Sequence, residues 1–168
     1  MEQKITTTTT KGVVIGLILF VLNLAIYFAN IDINGPIKWI GYIIFIGGII
    51  WSIYSYGKQI NYNATFGNYF AHGFKVSALV TAITIIALII LITVFPDFKE
   101  KGVEATRKAM QQNKDLTQEQ VSQYVEGFSK FFMVIIIGGT LLVYLITGAL
   151  SSLVGAAITK KEPNQIRQ

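Results

Sequence analysis

The chain is 168 residues long, 52% hydrophobic and 14% charged, with a net charge of +5 and a mean hydropathy of +0.54. Its 14 Lys and Arg are spread over every loop, which argues against a nucleic-acid partner, and the absence of cysteine excludes disulfides, thiolate nucleophiles and cysteine metal sites. Four stretches carry no charge at all, 12–31, 39–57, 76–96 and 131–159, and together they take up more than half the chain, leaving nothing to build a soluble domain with its own core.

Each of these runs is long enough to cross a bilayer, because a hydrocarbon core of ~30 Å needs about 20 apolar residues at ~1.5 Å rise. The expectation is an all-α fold: an integral membrane four-helix bundle with an extramembrane helical hairpin between helices three and four, forming a single membrane domain over 1–168. A soluble bundle would interrupt its apolar stripe with charges every turn or so, and these runs do not.

Residues 1–11 are polar, and the Thr6–Thr10 run reads as a disordered tail. Lys4 and Lys11 give a positive start, but the apolar run is longer than the ~7–15 residues of a signal peptide and no Ala-x-Ala follows, so a retained first helix over about 12–31 is expected. Asn30, Asp32, Asn34, Gly35 and Pro36 mark a tight turn. Pro36 is placed to open a second helix over about 37–56, framed by Trp39 and Tyr42 at one end and by Tyr54 and Tyr56 at the other, as expected at the two membrane surfaces.

Phe66, Tyr69, Phe70, Gly73 and Phe74 follow at helical spacing behind Thr65, a candidate N-cap. This pattern predicts an interfacial helix over about 65–73, with Phe66, Tyr69, Phe70 and Phe74 on the membrane surface, running into a third span over about 74–95. The extramembrane hairpin over about 97–130 carries two capping-box spacings, Asp97 with Glu100 and Thr117 with Gln120. The acid-first pairs Asp97 with Lys101, Glu104 with Lys108 and Glu126 with Lys130 add helix support. Val121, Tyr124, Val125, Phe128, Phe131 and Phe132 form an apolar stripe that passes into the fourth span, over about 131–159. One helix from about Gln118 to Thr159, roughly 60 Å long at 1.5 Å per residue, is expected, its stripe covered by the preceding helix, the membrane surface or a second copy.

Lys and Arg count seven on the side of the termini and seven on the other. Lys11, Lys160 and Lys161 abut helix ends, whereas the other set is mostly distant from membrane ends and paired with six acids, which favours cytoplasmic termini. Gly148 with Ser152 and Ser151 with Gly155 stand at small-xxx-small spacing in the fourth span, and Gly12 with Gly16 repeats it in the first. These are helix-packing residues, within one bundle or between protomers. Asn23, the amide deepest in a run, is expected to bond across to another helix; the threonines in the runs can bond their own helical turn.

No run holds an Asp, Glu, Lys, Arg or His, whereas coupled transporters keep such a group there. His72, the sole histidine, has no carboxylate or second histidine beside it in sequence, so no metal site, cofactor or catalytic residue is expected. Asn63-Ala64-Thr65 matches a glycosylation sequon, relevant only in a secretory compartment.

Ala64-Thr65-Phe66-Gly67 with Phe70 and Gly73-Phe74-Lys75, then Phe95-Pro96-Asp97-Phe98, a Met- and Gln-rich charged segment, and a Gly-rich last helix ending in Lys160-Lys161 together resemble the bacterial family catalogued as domain of unknown function 4199. The resemblance covers nearly the whole chain. It implies a small bacterial inner-membrane protein, and it brings no activity or catalytic residues. The functional expectation is a non-enzymatic binding or scaffolding protein of the bacterial cytoplasmic membrane, its partners the lipid bilayer, a membrane or envelope protein bound through 97–130, or a second copy. The alternative is an oligomeric permease or channel for a neutral small solute.

Overall fold

A computed structural model describes residues 7–29, 31, 36–113 and 115–159. Among them the fold is all-α with six helices: α1 (Thr8–Phe28), α2 (Lys38–Gln59), α3 (Phe66–Val94), α4 (Asp97–Gln111), α5 (Gln118–Lys130) and α6 (Phe132–Ile158). Four of these, α1, α2 from Trp39, α3 and α6, are long and apolar enough to cross a membrane. Outward-facing Ile86, Val94, Ile146 and Val134 are the surface that lipid covers in a membrane protein. Glu2, Lys4, Thr6, the 32–35 turn, Lys114, Lys160 and Lys161 lie outside the described residues.

The helices begin and end differently from the charge-free runs, and local chemistry explains most of the differences. The threonine tract is not a tail from Thr7 onward: the Thr7 hydroxyl caps the Thr10 amide, and α1 starts at Thr8. No separate interfacial helix precedes the third span, because α3 runs without a break from Phe66 to Val94. At 29 residues, or about 44 Å at 1.5 Å per residue, it is longer than the bilayer core requires. The link between α2 and α3 is a Schellman-type stop: the Tyr62 amide donates to the Gly57 carbonyl at 2.7 Å and the Asn61 amide to Lys58 at 3.3 Å. Asn61 and Tyr62 take the left-handed conformation there, with φ of 51° and 57°.

The chain divides into two compact units. The first is Met1–Thr84 with Leu142–Gln168 and the second is Ile85–Leu141. In the first, Ile15 and Leu19 of α1, Phe45, Ile49 and Ile53 of α2, Tyr69, Val76 and Val80 of α3, and Ala156 of α6 form one buried core.

In the second unit α4 packs on α5. Thr117 and Gln120 form the expected capping box, their hydrogen bonds running in both directions. Asp97 instead occupies the first turn of α4 behind Pro96, and its carboxylate meets Lys101 at 3.2 Å. Glu104 pairs with Arg107 at 3.7 Å rather than with Lys108, and Lys130 lies over the Phe131 ring. The expected single helix from Gln118 to Thr159 is interrupted at Phe131, whose φ of −105° and ψ of 21° close α5 before α6 begins. Past this bend the Phe132 ring covers Gly102 of α4, and Val121 and Val125 are buried. The preceding helix is thus a partner for the stripe, although Tyr124 and Phe131 stay exposed.

Candidate functional site

The polar side chains of the first unit collect where α1 and α3 begin and where α2 and α6 end. One turn into α1, Lys11 is only 1% exposed, and its ammonium donates to the Ser52 carbonyl of α2 at 3.2 Å. Ser52 is fully buried, and its hydroxyl lies 3.1 Å from His72 Nε2 on α3. On the far side of the ring the Thr8 hydroxyl lies 3.2 Å from Nδ1. The Tyr56 ring stacks flat on the imidazole at 4.3 Å and 5°.

Both ring nitrogens of His72 are therefore used. In the neutral imidazole one nitrogen donates and the other accepts, and hydroxyls can serve either role, so the Thr8–His72–Ser52 chain is satisfied without a charge on the ring. Such a ring is fixed in place, with no nitrogen left over to ligate a metal. Among the described residues no three His, Cys, Asp or Glu come together. The Ser52 hydroxyl and His72 stand at the distance of a nucleophile and its base. Ser52 is shut inside the helix packing with no exposed surface, so the pair is built as a polar core contact.

Lys11 is in a different position. Burying an ammonium costs several kcal/mol unless the surroundings supply counter-charge and hydrogen bonds, and one carbonyl meets one of its three N–H groups. No Asp or Glu is present among the described residues of this unit.

The chain's relatives are found at the level of the whole sequence. A family model for a protein of unknown function, DUF4199, matches residues 10–161. The chain belongs to this family. No curated protein and no solved structure is similar to it. The DUF4199 match contains Lys11, Ser52, Tyr56 and His72, so all of the cluster but Thr8 lies inside the family region.

The residues singled out in the sequence fall into three groups. Gly148, Ser151, Ser152 and Gly155 are all buried on α6 and pack within the chain. A Cβ on Gly148 would overlap the Ser77 hydroxyl of α3, and one on Gly155 would come to 2.5 Å from Ile53 Cδ1 of α2. The Ser151 and Ser152 hydroxyls return to the carbonyls of Thr147 and Gly148, each at 2.7 Å. Asn23 stands apart: it is exposed on α1, and its amide donates to the Leu19 carbonyl of its own helix at 2.7 Å instead of crossing to a neighbour. The aromatic set divides. Phe66 and Phe74 are exposed and Phe70 stacks on Phe74, while Tyr69 is fully buried in the core against Tyr56.

Lys11 and His72 were missed as partners because one borders a charge-free run and the other stands in a segment read as interfacial. The signal available was periodicity. Thr8 and Lys11, at i and i+3, share a face with Ile15, and Tyr69, His72 and Val76 do the same on α3.

Proposed function

We propose that the protein is a non-enzymatic, multi-pass integral membrane protein of the bacterial cytoplasmic membrane that acts by binding. In this reading both termini are cytoplasmic and the segment containing α4 and α5 is a contact surface on the opposite side. The observation that carries it is the amphipathic character of α4 and α5, the helices that do not qualify as spans. Val121 and Val125 are buried while Tyr124, 56% exposed, keeps an aromatic ring in the open, with Gln120 one turn before it. An exposed Tyr within a polar surround is the residue type that anchors protein contacts.

The test is a photo-crosslinking residue at position 124 in the full-length protein, alongside deletion of 99–128. A discrete adduct formed from 124 and absent when the crosslinker is placed at the buried position 125 supports a binding face. Complex formation and phenotype that survive the deletion refute it.

An oligomeric permease for a neutral solute is the second reading, favoured by the exposure of Asn23 on a span face where lipid or another copy would cover it. Solute flux in reconstituted vesicles that disappears with Asn23→Leu would establish this reading in place of the first.

A further inference from the structure

Lys11 is a buried cation short of an anion, and its surroundings deepen the shortage. Lys11 stands in the first turn of α1, where the helix dipole is positive and an acid is the favoured residue, yet that turn has none. The first turn of α3, at the same end of the unit, has none either, and Lys75 follows one turn after His72. The opposing C-terminal ends of α2 and α6 bring partial negative charge, but α2 already engages Lys11 through the Ser52 carbonyl. One turn before His72, the Tyr69 hydroxyl is buried with no partner. The cluster therefore gathers hydrogen-bond donors and positive potential, with no carboxylate among the described residues of its unit.

We propose that Lys11 is the base of a binding site for a phosphate oxyanion, at the end of the first unit where α1 and α3 begin. The anion is the phosphate of a phospholipid headgroup or inorganic phosphate; the chemistry at Lys11 is the same. An ammonium uses its remaining N–H groups on phosphate oxygens, while the α1 amides of Thr10 and Lys11 are already taken by Thr7. Depth fits a headgroup. α1 is 21 residues long, close to the length that spans the hydrocarbon core, and Lys11 lies one turn from its start, at the level of the lipid phosphates.

The experiment uses the full-length protein in mild detergent, stripped of lipid, with native mass spectrometry and thermal unfolding as readouts. Phosphatidylglycerol in mixed micelles and inorganic phosphate are the two probes. For the wild type, retained phosphatidylglycerol and a raised Tm identify the headgroup as the source, and binding of inorganic phosphate that competes with the lipid identifies the free anion. Lys11→Gln should weaken whichever binds at least ten-fold, Lys11→Arg should restore most of it, and Lys58→Gln, which removes the same charge from an exposed side chain, should leave it unchanged.

Equal losses from Lys11→Gln and Lys58→Gln would reduce the effect to diffuse surface charge and overturn the proposal. So would the absence of binding by either probe to a folded wild type. If Lys11→Gln fails to fold, the arginine variant and the two wild-type titrations decide the question. A stability loss for Lys11→Gln that vanishes in a Glu2→Gln or Glu162→Gln background, with no probe bound, would assign the counter-charge to the chain's own ends and also overturn it.

Discussion

Gly148→Ala is the sharpest test of how α3 and α6 meet. A Cβ built on Gly148 overlaps the Ser77 hydroxyl and lies 2.7 Å from Ser77 Cβ, with Phe45 Cζ at 3.6 Å. Rotating Ser77 removes the first clash but not the second, because Cβ is fixed to the backbone of α3, so the helices must separate or tilt locally. Overpacking of this kind costs about 1–3 kcal/mol. For a chain of this size that is a drop in Tm of about 2–12 °C, since each kcal/mol shifts the midpoint by about 2–4 °C. The intrinsic helix preference of alanine over glycine, up to about 1 kcal/mol, works in the opposite direction and makes a destabilisation more telling. Ser77→Gly removes both the hydroxyl and the Cβ, so the double variant should be more stable than the two single effects predict, by about 0.5–3 kcal/mol of coupling. Thermal unfolding of the four proteins in one detergent provides the cycle. Additive effects, or a Gly148→Ala variant as stable as wild type, would refute the close approach.

Ser52→Ala should cost about 1–3 kcal/mol by leaving His72 Nε2 buried without a partner, and an unchanged Tm would contradict the Thr8–His72–Ser52 chain. Asn61→Gly should stabilise by a few tenths to about 1 kcal/mol, because position 61 is left-handed at the Schellman stop and Asn only partly relieves the ~1–2 kcal/mol cost of that conformation; a loss of stability by the same melt would show that the Asn side chain matters there. Thr117→Ala removes the cap of α5 and should cost about 1 kcal/mol, seen as faster amide hydrogen exchange confined to the first turn of α5, with protection along α1 and α6 unchanged.

Hydropathy made the four candidate spans legible because a bilayer requires the one length and the one composition that a run of residues can show without any tertiary information. The capping box at Thr117 and Gln120 was equally legible, since both of its hydrogen bonds are local. The same locality explains Asn23. An amide in a helix has its own i−4 carbonyl within reach, and Asn23 takes Leu19 rather than a neighbouring helix, so residue type alone did not give the partner. The small residues of α6 announced close packing but not its target: that Gly148 faces Ser77 and Gly155 faces Ile53 is a property of how three helices assemble, which spacing within one helix does not encode.

The polar cluster was hidden for a more instructive reason. Counting uninterrupted apolar residues ends a helix at its first charge, so α1 was cut at Lys11 and α3 was started after His72. Both helices continue for at least one turn beyond those points, to Thr8 and to Phe66. A lysine or histidine in that outer turn looks like a topology marker from the sequence, because single charges near helix ends usually reach water. Lys11 and His72 do not: they are 1% and 7% exposed, and they meet only because α1 and α3 begin at the same end of their unit, with the Ser52 carbonyl and hydroxyl of α2 between them. In the turn just outside the uncharged run of α1, a buried lysine with no carboxylate among the described residues of its unit is the feature of the first unit that polar packing alone does not account for.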